Sequence, residues 1–461
     1  MSDFVNAGII NNDKHLLNRE FIGTVGKIAI PVALQSMLQS SFSIVDQLMI
    51  GQLGKNSIAA VGLGGNLGLI FSVVVGAIGT VAGIIISQFL GAGDEKEAWR
   101  GFTVSALFAV IVATIFMGAC FLFANGILGL YTTDALTIAE GTPYLKLISL
   151  TCIPSAISII VATWLRCSDH ATIPLVASFV AVICNTGLNY VLIFGKFGFS
   201  PLGAKGAGYA TLVSQLFNLI FMVCGMLICL KKENRKIMLS VRLQKVTFGE
   251  YMIMIMPILI SEFLWSLGQN INSGVYGHLG TDSLAAYTLT TPIQGLLVGA
   301  LSGLSAAAGV LIGKKLGKKD FDGAYTDSKG LLWLGVIGSV ILSVVLISLA
   351  GVYVSFYQVE EVVMGTARIL LIVFALYAPV KVLNMILGGG IIRSGGDTKI
   401  IMMIDIIGTW LVGIPLCFLA AYGLKLSIVP VYAILSVEEV VRLVISLIIF
   451  KRKNWMRSLE K

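Results

Sequence analysis

The sequence predicts an all-α membrane protein with twelve transmembrane helices in two pseudo-symmetric six-helix lobes, arranged as a parallel repeat. Three observations lead there: a composition poor in charge, twelve long apolar runs, and a first half that returns 226 residues later.

Of the 461 residues, 57% are hydrophobic and 12% charged, against about 25% charged in a typical soluble domain. Mean hydropathy is +0.92, which a single anchor does not produce in a chain of this length. Runs long enough to cross about 30 Å of hydrocarbon fall near 27–50, 57–90, 102–126, 143–167, 170–195, 206–230, 250–276, 283–313, 328–355, 365–392, 398–424 and 426–450. They are continuous, where barrel strands would alternate over about 10 residues, so helices are expected. Residues 1–26 lack the basic start, short apolar core and small-residue cleavage site of a signal peptide, and the first run is expected to remain as a span. The expected divisions are an N-terminal segment 1–26, an N-lobe 27–230, a linker 231–249, a C-lobe 250–450 and a tail 451–461.

Charge gives the orientation. Counting alternate loops and both termini, 24 of the 32 lysines and arginines fall on one side, six on the other, and two, Lys381 and Arg442, inside helices. The richer side is expected to be cytoplasmic, which puts both termini in the cytoplasm and the chain in the cell membrane. This asymmetry also accounts for the net charge of +8 without nucleic acid as a partner. The basic run "KKENRK" at 231–236 then reads as the start of the cytoplasmic linker. Seven cysteines (120, 152, 167, 184, 224, 229 and 417) have no metal-ligand spacing and read as packing residues.

The repeat aligns Pro31 to Ala98 with Pro257 to Ala324 without a gap, with 17 of 68 positions identical. "GQLGKNSIAAVGL" answers to "GHLGTDSLAAYTL", and Gly91 and Asp94 return as Gly317 and Asp320. "LRCSDHATIP" after the fourth helix resembles "IRSGGDTKII" after the tenth, so Arg166 answers Arg393. An even number of spans per half makes the halves parallel repeats. A transporter is the expected class.

Taken together and in this order, "SIVDQLMIGQLG" at 43–54, "GVYGHLGTDSLAA" at 274–286, "NYVLIFGKFGFSPLGAKGAGYATLVSQ" at 189–215 and "IIRSGGDT" at 391–398 resemble the MATE (multidrug and toxic compound extrusion) family, in its bacterial branch, over residues 25–455. The resemblance implies efflux of organic, often cationic or amphiphilic compounds in exchange for inward H⁺ or Na⁺, by alternating access between two six-helix lobes set as a V. A monomer in contact with membrane lipids is expected, with no cofactor beyond the coupling ion.

Ionisable groups within spans are costly and are therefore functional candidates. Four are assigned to cation coupling: Glu262, Asp46, Asp405 and Lys381. Asp46 matches the family's first-helix aspartate, which the resemblance implicates in protonation or cation binding; the structural alternative is an aspartate near the helix end, hydrogen-bonded to backbone or to Asn185 and Asn189. Some relatives carry a second acid in the fifth helix, where this chain has these two asparagines. Glu262 lies about 12 residues into the seventh helix, roughly 18 Å deep, and stands where the first copy has Ser36. In the second copy Asn272 replaces Asp46. Lys381 and Asp405 are at comparable depth. Either the three form a network in which protonating Glu262 releases Lys381, or Lys381 and Asp405 make a fixed salt bridge. Glu438, Glu439 and Arg442 are spaced for pairing within the last helix, with Arg442 snorkelling to the cytoplasm, and read as structural.

Gln35, Gln39, Trp265, Gln269, Asn270, Asn272, Tyr287 and Asn384 are candidate pathway groups, and Pro31, Pro257, Pro154 and Pro379 candidate hinges. No metal site and no enzyme is expected: the three histidines (15, 170 and 278) lie in tails or loops, no nucleophile stands beside a base, and "GLGGNLG" at 62–68 sits inside a span with no strand before it. Two rival transport classes remain. A lipid-linked oligosaccharide flippase of the same wider superfamily calls for a strongly cationic centre, and a major-facilitator antiporter calls for a different loop after the second span than "GAGDEKEAWRG".

Overall fold

The computed structural model describes residues 18–53, 55–240, 244–357 and 359–460. Gly54, expected in the turn after the first span, lies outside them, as do residues 1–17 and 241–243. All regular structure among the described residues is helical. The first half holds α1 (Arg19–Gly51), α2 (Lys55–Ala92), α3 (Glu95–Leu122), α4 (Ala124–Tyr131), α5 (Ala135–Leu150), α6 (Cys152–Cys167), α7 (Thr172–Phe194) and α8 (Ala204–Lys232). The second holds α9 (Phe248–His278), α10 (Thr281–Gly317), α11 (Phe321–Val354), α12 (Glu361–Asn384), α13 (Thr398–Ile406), α14 (Ile414–Phe418), α15 (Ile428–Leu435) and α16 (Val437–Arg452).

Eleven helical stretches among the described residues are long and apolar enough to cross a membrane. The twelfth expected span is present as two helices, α15 and α16, meeting at Ser436. The fourth is likewise broken at Thr151 into α5 and α6. Pro154, expected in mid or early helix as a hinge, lies in the first turn of α6, where its missing N–H breaks no helical bond. The third span begins at Glu95, ahead of the apolar run, because Asp94 accepts from the Glu97 N–H as N-cap. The repeat conserves this device: Asp320 caps α11 through the Gly323 N–H.

Chain contacts divide the molecule into two compact units. One takes the described residues of Met1–Ala33, Ser87–Gly93 and Phe248–Lys461, the other Leu34–Ile86 and Asp94–Thr247. The start of α1 and the end of α2 thus pack with second-half helices. The reason is close backbone approach at glycine. A Cβ on Gly303 would overlap the Ala29 carbonyl oxygen, one on Gly91 the Lys314 carbonyl oxygen, and one on Gly317 the Gln88 carbonyl oxygen. Gly91 and Gly317 are repeat partners, so each copy gives the other its crossing surface. Gly317→Ala is expected to destabilise the protein by about 1–3 kcal/mol, the cost of overpacking a tight contact, read as a lowered unfolding temperature in detergent; an unchanged temperature would show that the crossing yields freely.

In the second unit, the end of the linker is pinned to the start of α3. Glu97 is 1% exposed and accepts from the backbone N–H groups of Gln244 and Lys245, both at 2.8 Å, and from Arg100 at 2.8 Å. Lys245 also pairs with Asp94 at 2.9 Å. Burial acts to raise the Asp94 carboxyl, but the Lys245 ammonium and the Glu97 N–H outweigh it and hold it below the ordinary carboxylate value.

Candidate functional site

Within the first unit, a cavity of about 350 Å³ opens among α9, α12, α13 and α16. The helices round it are irregular. α12 runs into a π-helix over Met385–Ile392 and a short 3₁₀ turn Arg393–Gly395, and α13 is followed by a π-helix Ile407–Gly413. Wider turns of this kind recur at functional sites. Here they accompany Pro379 within α12, and glycines make room for large polar side chains. A Cβ on Gly408 would overlap the Arg442 side chain, and one on Gly413 the Glu438 carboxylate.

The walls carry an unusual density of charge for the interior of a spanning fold. Glu262, Lys381, Arg393, Asp405, Glu439 and Arg442 all line the cavity, with Ser261, Trp265 and Asn384 among them. Lys381 Nζ stands 3.6 Å from Glu439 Oε1, and Asn384 donates to Glu439 Oε2 at 2.8 Å. Arg442 reaches Asp405 Oδ1 and Glu438 Oε1, each at 3.7 Å, and donates to Thr409 Oγ1. Ser261 donates to Asp405 Oδ2. Glu262, half-buried, has no hydrogen bond or ion pair among the described residues.

Of the sequence candidates, Glu262, Asp405, Lys381, Trp265 and Asn384 therefore meet in one cavity. Three readings are corrected. The fixed Lys381–Asp405 bridge is not formed: Lys381 pairs with Glu439 and Asp405 with Arg442. The release of Lys381 by protonating Glu262 has no direct contact to act through, since Glu439 holds the ammonium. Arg442 does not snorkel; it is 8% exposed, because Asp405, Glu438 and Thr409 satisfy it where it stands, whereas Lys451 near the helix end is nine residues away. Glu439 and Arg442, read as structural, line the same cavity, and so does Arg393, read as a loop residue. The signal for the pair was present in their spacing, one turn apart in an apolar helix; nothing local marked Arg393.

The other candidates lie elsewhere. In the second unit, Asp46 accepts from Asn189 Nδ2 at 2.6 Å, Asn189 also donates to Asn185 Oδ1 at 2.8 Å, and Asn185 donates to Ser214 Oγ at 3.2 Å. This is a polar chain with one acid. Gln35, expected on a pathway, is buried, with its amide held by Arg166 at 3.0 Å and Ser178 at 2.8 Å. Gln39 is exposed and Gln269 half-buried. Asn270 donates to the Ser266 carbonyl, and Asn272 is buried with Oδ1 unpartnered. Tyr287 packs in a cluster of rings with Tyr276 and Tyr432, centroids 4.8 and 6.1 Å away. Pro31 and Pro257 lie inside α1 and α9. The second unit also holds an apolar cavity of about 250 Å³, lined by Phe71, Phe116, Leu67 and Leu145 with Gln215.

The MatE family model matches this chain twice, over residues 31–191 and 257–419, starting at the two repeat prolines. The chain is 27% identical over 400 residues, 84% of each chain, to the probable multidrug resistance protein NorM of Rhizobium meliloti (strain 1021). It is 25% identical over 438 residues, 93% of this chain and 94% of the relative, to the uncharacterized transporter YisQ of Bacillus subtilis (strain 168). Among solved structures, the Vibrio cholerae MATE transporter VcmN in the bent form superposes with a TM-score of 0.83 at 16% identity, covering 95% of this chain and 99% of that one. Two matches to one family model at the spacing of the internal repeat, on a fold of membrane-spanning helices, place this chain in the MatE family of bacterial multi-pass membrane transporters.

Proposed function

We propose that this protein is a secondary active multidrug exporter of the cell membrane, moving organic, often cationic compounds outward in exchange for inward H⁺ or Na⁺, with both termini cytoplasmic. The observation that carries this reading is the charged cavity of the second half, where Lys381 and Arg442 are committed to other acids and Glu262 has no hydrogen bond or ion pair among the described residues. A carboxylate free to bind and release a cation is what ion coupling requires. The substrate class is supported by the NorM relatives, named as probable multidrug resistance proteins. The apolar cavity with Phe71 and Phe116 offers aromatic faces and adaptable contacts to such compounds.

Alternating access follows from bending at the prolines. In α1 the boundary between the two compact units falls at Ala33, two residues past Pro31, where the missing hydrogen bond lowers the cost of a bend. Pro257 occupies the same repeat position in α9.

Ethidium uptake into inverted vesicles with ΔpH and ΔNa⁺ imposed separately tests the proposal. Accumulation under one of them is expected; no movement under either, together with translocation of a lipid-linked oligosaccharide, would replace it with the flippase reading. Asp46→Asn is expected to retain more transport than Glu262→Gln, because an amide still bonds Asn189 and the position has no partner acid. Complete loss in Asp46→Asn beside an active Glu262→Gln would move the coupling site to the first half.

A further inference from the structure

The cavity carries its own cations, and their placement bears on which ion it can accept. Both oxygens of Asp405 are engaged, Oδ1 by Arg442 and Oδ2 by Ser261. Both oxygens of Glu439 are engaged as well, Oε1 by Lys381 and Oε2 by Asn384. Arg393 adds a third positive charge to the wall. Counting Glu438 behind Arg442, four carboxylates (Glu262, Asp405, Glu438, Glu439) face three cations (Lys381, Arg393, Arg442), leaving a net of one negative charge. Arg442 is shared by two of the acids, and Glu262, the carboxylate with no hydrogen bond or ion pair among the described residues, has Arg393 as the cation that acts on it.

We infer that Lys381 and Arg442 are specificity-determining residues: by holding the oxygens of Glu439 and Asp405 they leave the site able to take a proton on Glu262 and unable to assemble a shell for Na⁺. The inference rests on the cavity being the coupling site, as proposed above. A proton needs one oxygen, and Glu262 supplies it. A hard metal cation needs several oxygens at once, and the carboxylates that would supply them are turned to an ammonium and a guanidinium. Of the charged groups round the cavity, Arg393, from the turn between α12 and α13, and Asp405, from α13, act on Glu262, and the Lys381 and Arg442 charges on α12 and α16 line the same cavity and repel a second cation through a medium that screens poorly. One bound proton brings the cluster to neutrality, and its loss restores the attraction for a cationic substrate.

The test is ethidium movement in proteoliposomes of the full-length protein under ΔpH alone and ΔNa⁺ alone. Wild type is expected to respond to ΔpH and not to ΔNa⁺. Lys381→Gln, which frees Glu439 beside Asn384, is expected to gain a Na⁺-dependent component. Transport by the wild type under ΔNa⁺ overturns the inference while sparing the exporter reading; silence under both gradients overturns that reading and the inference with it. A folded Lys381→Gln still indifferent to Na⁺ also counts against it. Because removing Lys381 risks the fold, a second measurement uses wild type and Glu262→Gln only. Ethidium added to purified protein in weakly buffered detergent solution is expected to release protons from the wild type, none from Glu262→Gln, and equally with or without Na⁺. Release that Na⁺ suppresses would show Na⁺ in the site and overturn the proposal.

Discussion

Glu262→Gln is expected to remove gradient-driven export while leaving the protein folded. The amide keeps the size and hydrogen-bonding capacity of the side chain but takes no proton and holds no charge, so the cavity stays permanently in its neutral state. Ethidium transport should fall roughly 5- to 150-fold, the range spanned by losing a coupling free energy of about 1–3 kcal/mol. Unfolding in detergent should be unchanged, because Glu262 has no hydrogen bond or ion pair among the described residues for the substitution to break. The paired measurement matters. Lost transport with a lowered unfolding temperature would make Glu262 a structural acid, and unchanged transport would remove it from coupling altogether.

The largest effect on stability is expected from Arg442→Met. Arg442 neutralises Asp405 and Glu438 and donates to Thr409 from a position 8% exposed. Methionine fills much of the volume but leaves Asp405 and Glu438 without the guanidinium that pairs with both. Breaking a buried pair by removing one partner costs about 3–5 kcal/mol, and thermal unfolding in detergent should drop accordingly. Adding Glu438→Gln to Arg442→Met should recover part of the loss by removing one of the stranded charges. If the single variant unfolds like the wild type, the cluster is hydrated and screened, and its ion pairs contribute little. The same pairings make Lys381→Gln milder for stability, since Lys381 is more exposed, at 39%, and Glu439 keeps its bond from Asn384.

Sequence and structure agree most closely where the deciding physics is local. The spans follow from runs of apolar residues that cannot leave the hydrocarbon, and the doubled architecture from a gapless alignment with Asp94 and Asp320 capping equivalent helices. The misplacements at helix ends share one cause. α3 starts within "EKEAWR", a charged first turn invisible to hydropathy but enforced by the Asp94 cap. The breaks at Thr151 and Ser436 divide runs that are apolar on both sides, so composition does not mark them.

The site was legible in its membership more than in its wiring. Glu262, Asp405 and Lys381 stood out as charges where charge is costly, and Asp46 makes the hydrogen bond with Asn189 that was its structural alternative. The local pairing expected among Glu438, Glu439 and Arg442 forms between Glu438 and Arg442, but the same spacing also lets Glu439 and Arg442 reach across to α12 and α13. Gln35 misled for the same reason: a polar side chain in a span is a pathway group or a structural bond depending on what faces it, and Arg166 and Ser178 do.

By itself, then, the sequence determined that this chain crosses the membrane about twelve times, that it is two copies of one unit, and which few residues carry charge at depth. Those are properties of runs, counts and offsets along the chain. Only the tertiary structure decided that Lys381 holds Glu439, that Arg442 holds Asp405, and that Glu262 is left unpaired. Partner choice among charges at similar depth depends on the rotation and register of four helices about one cavity. A turn of π-helix or a glycine that lets a guanidinium lie flat changes both, without any trace in hydropathy.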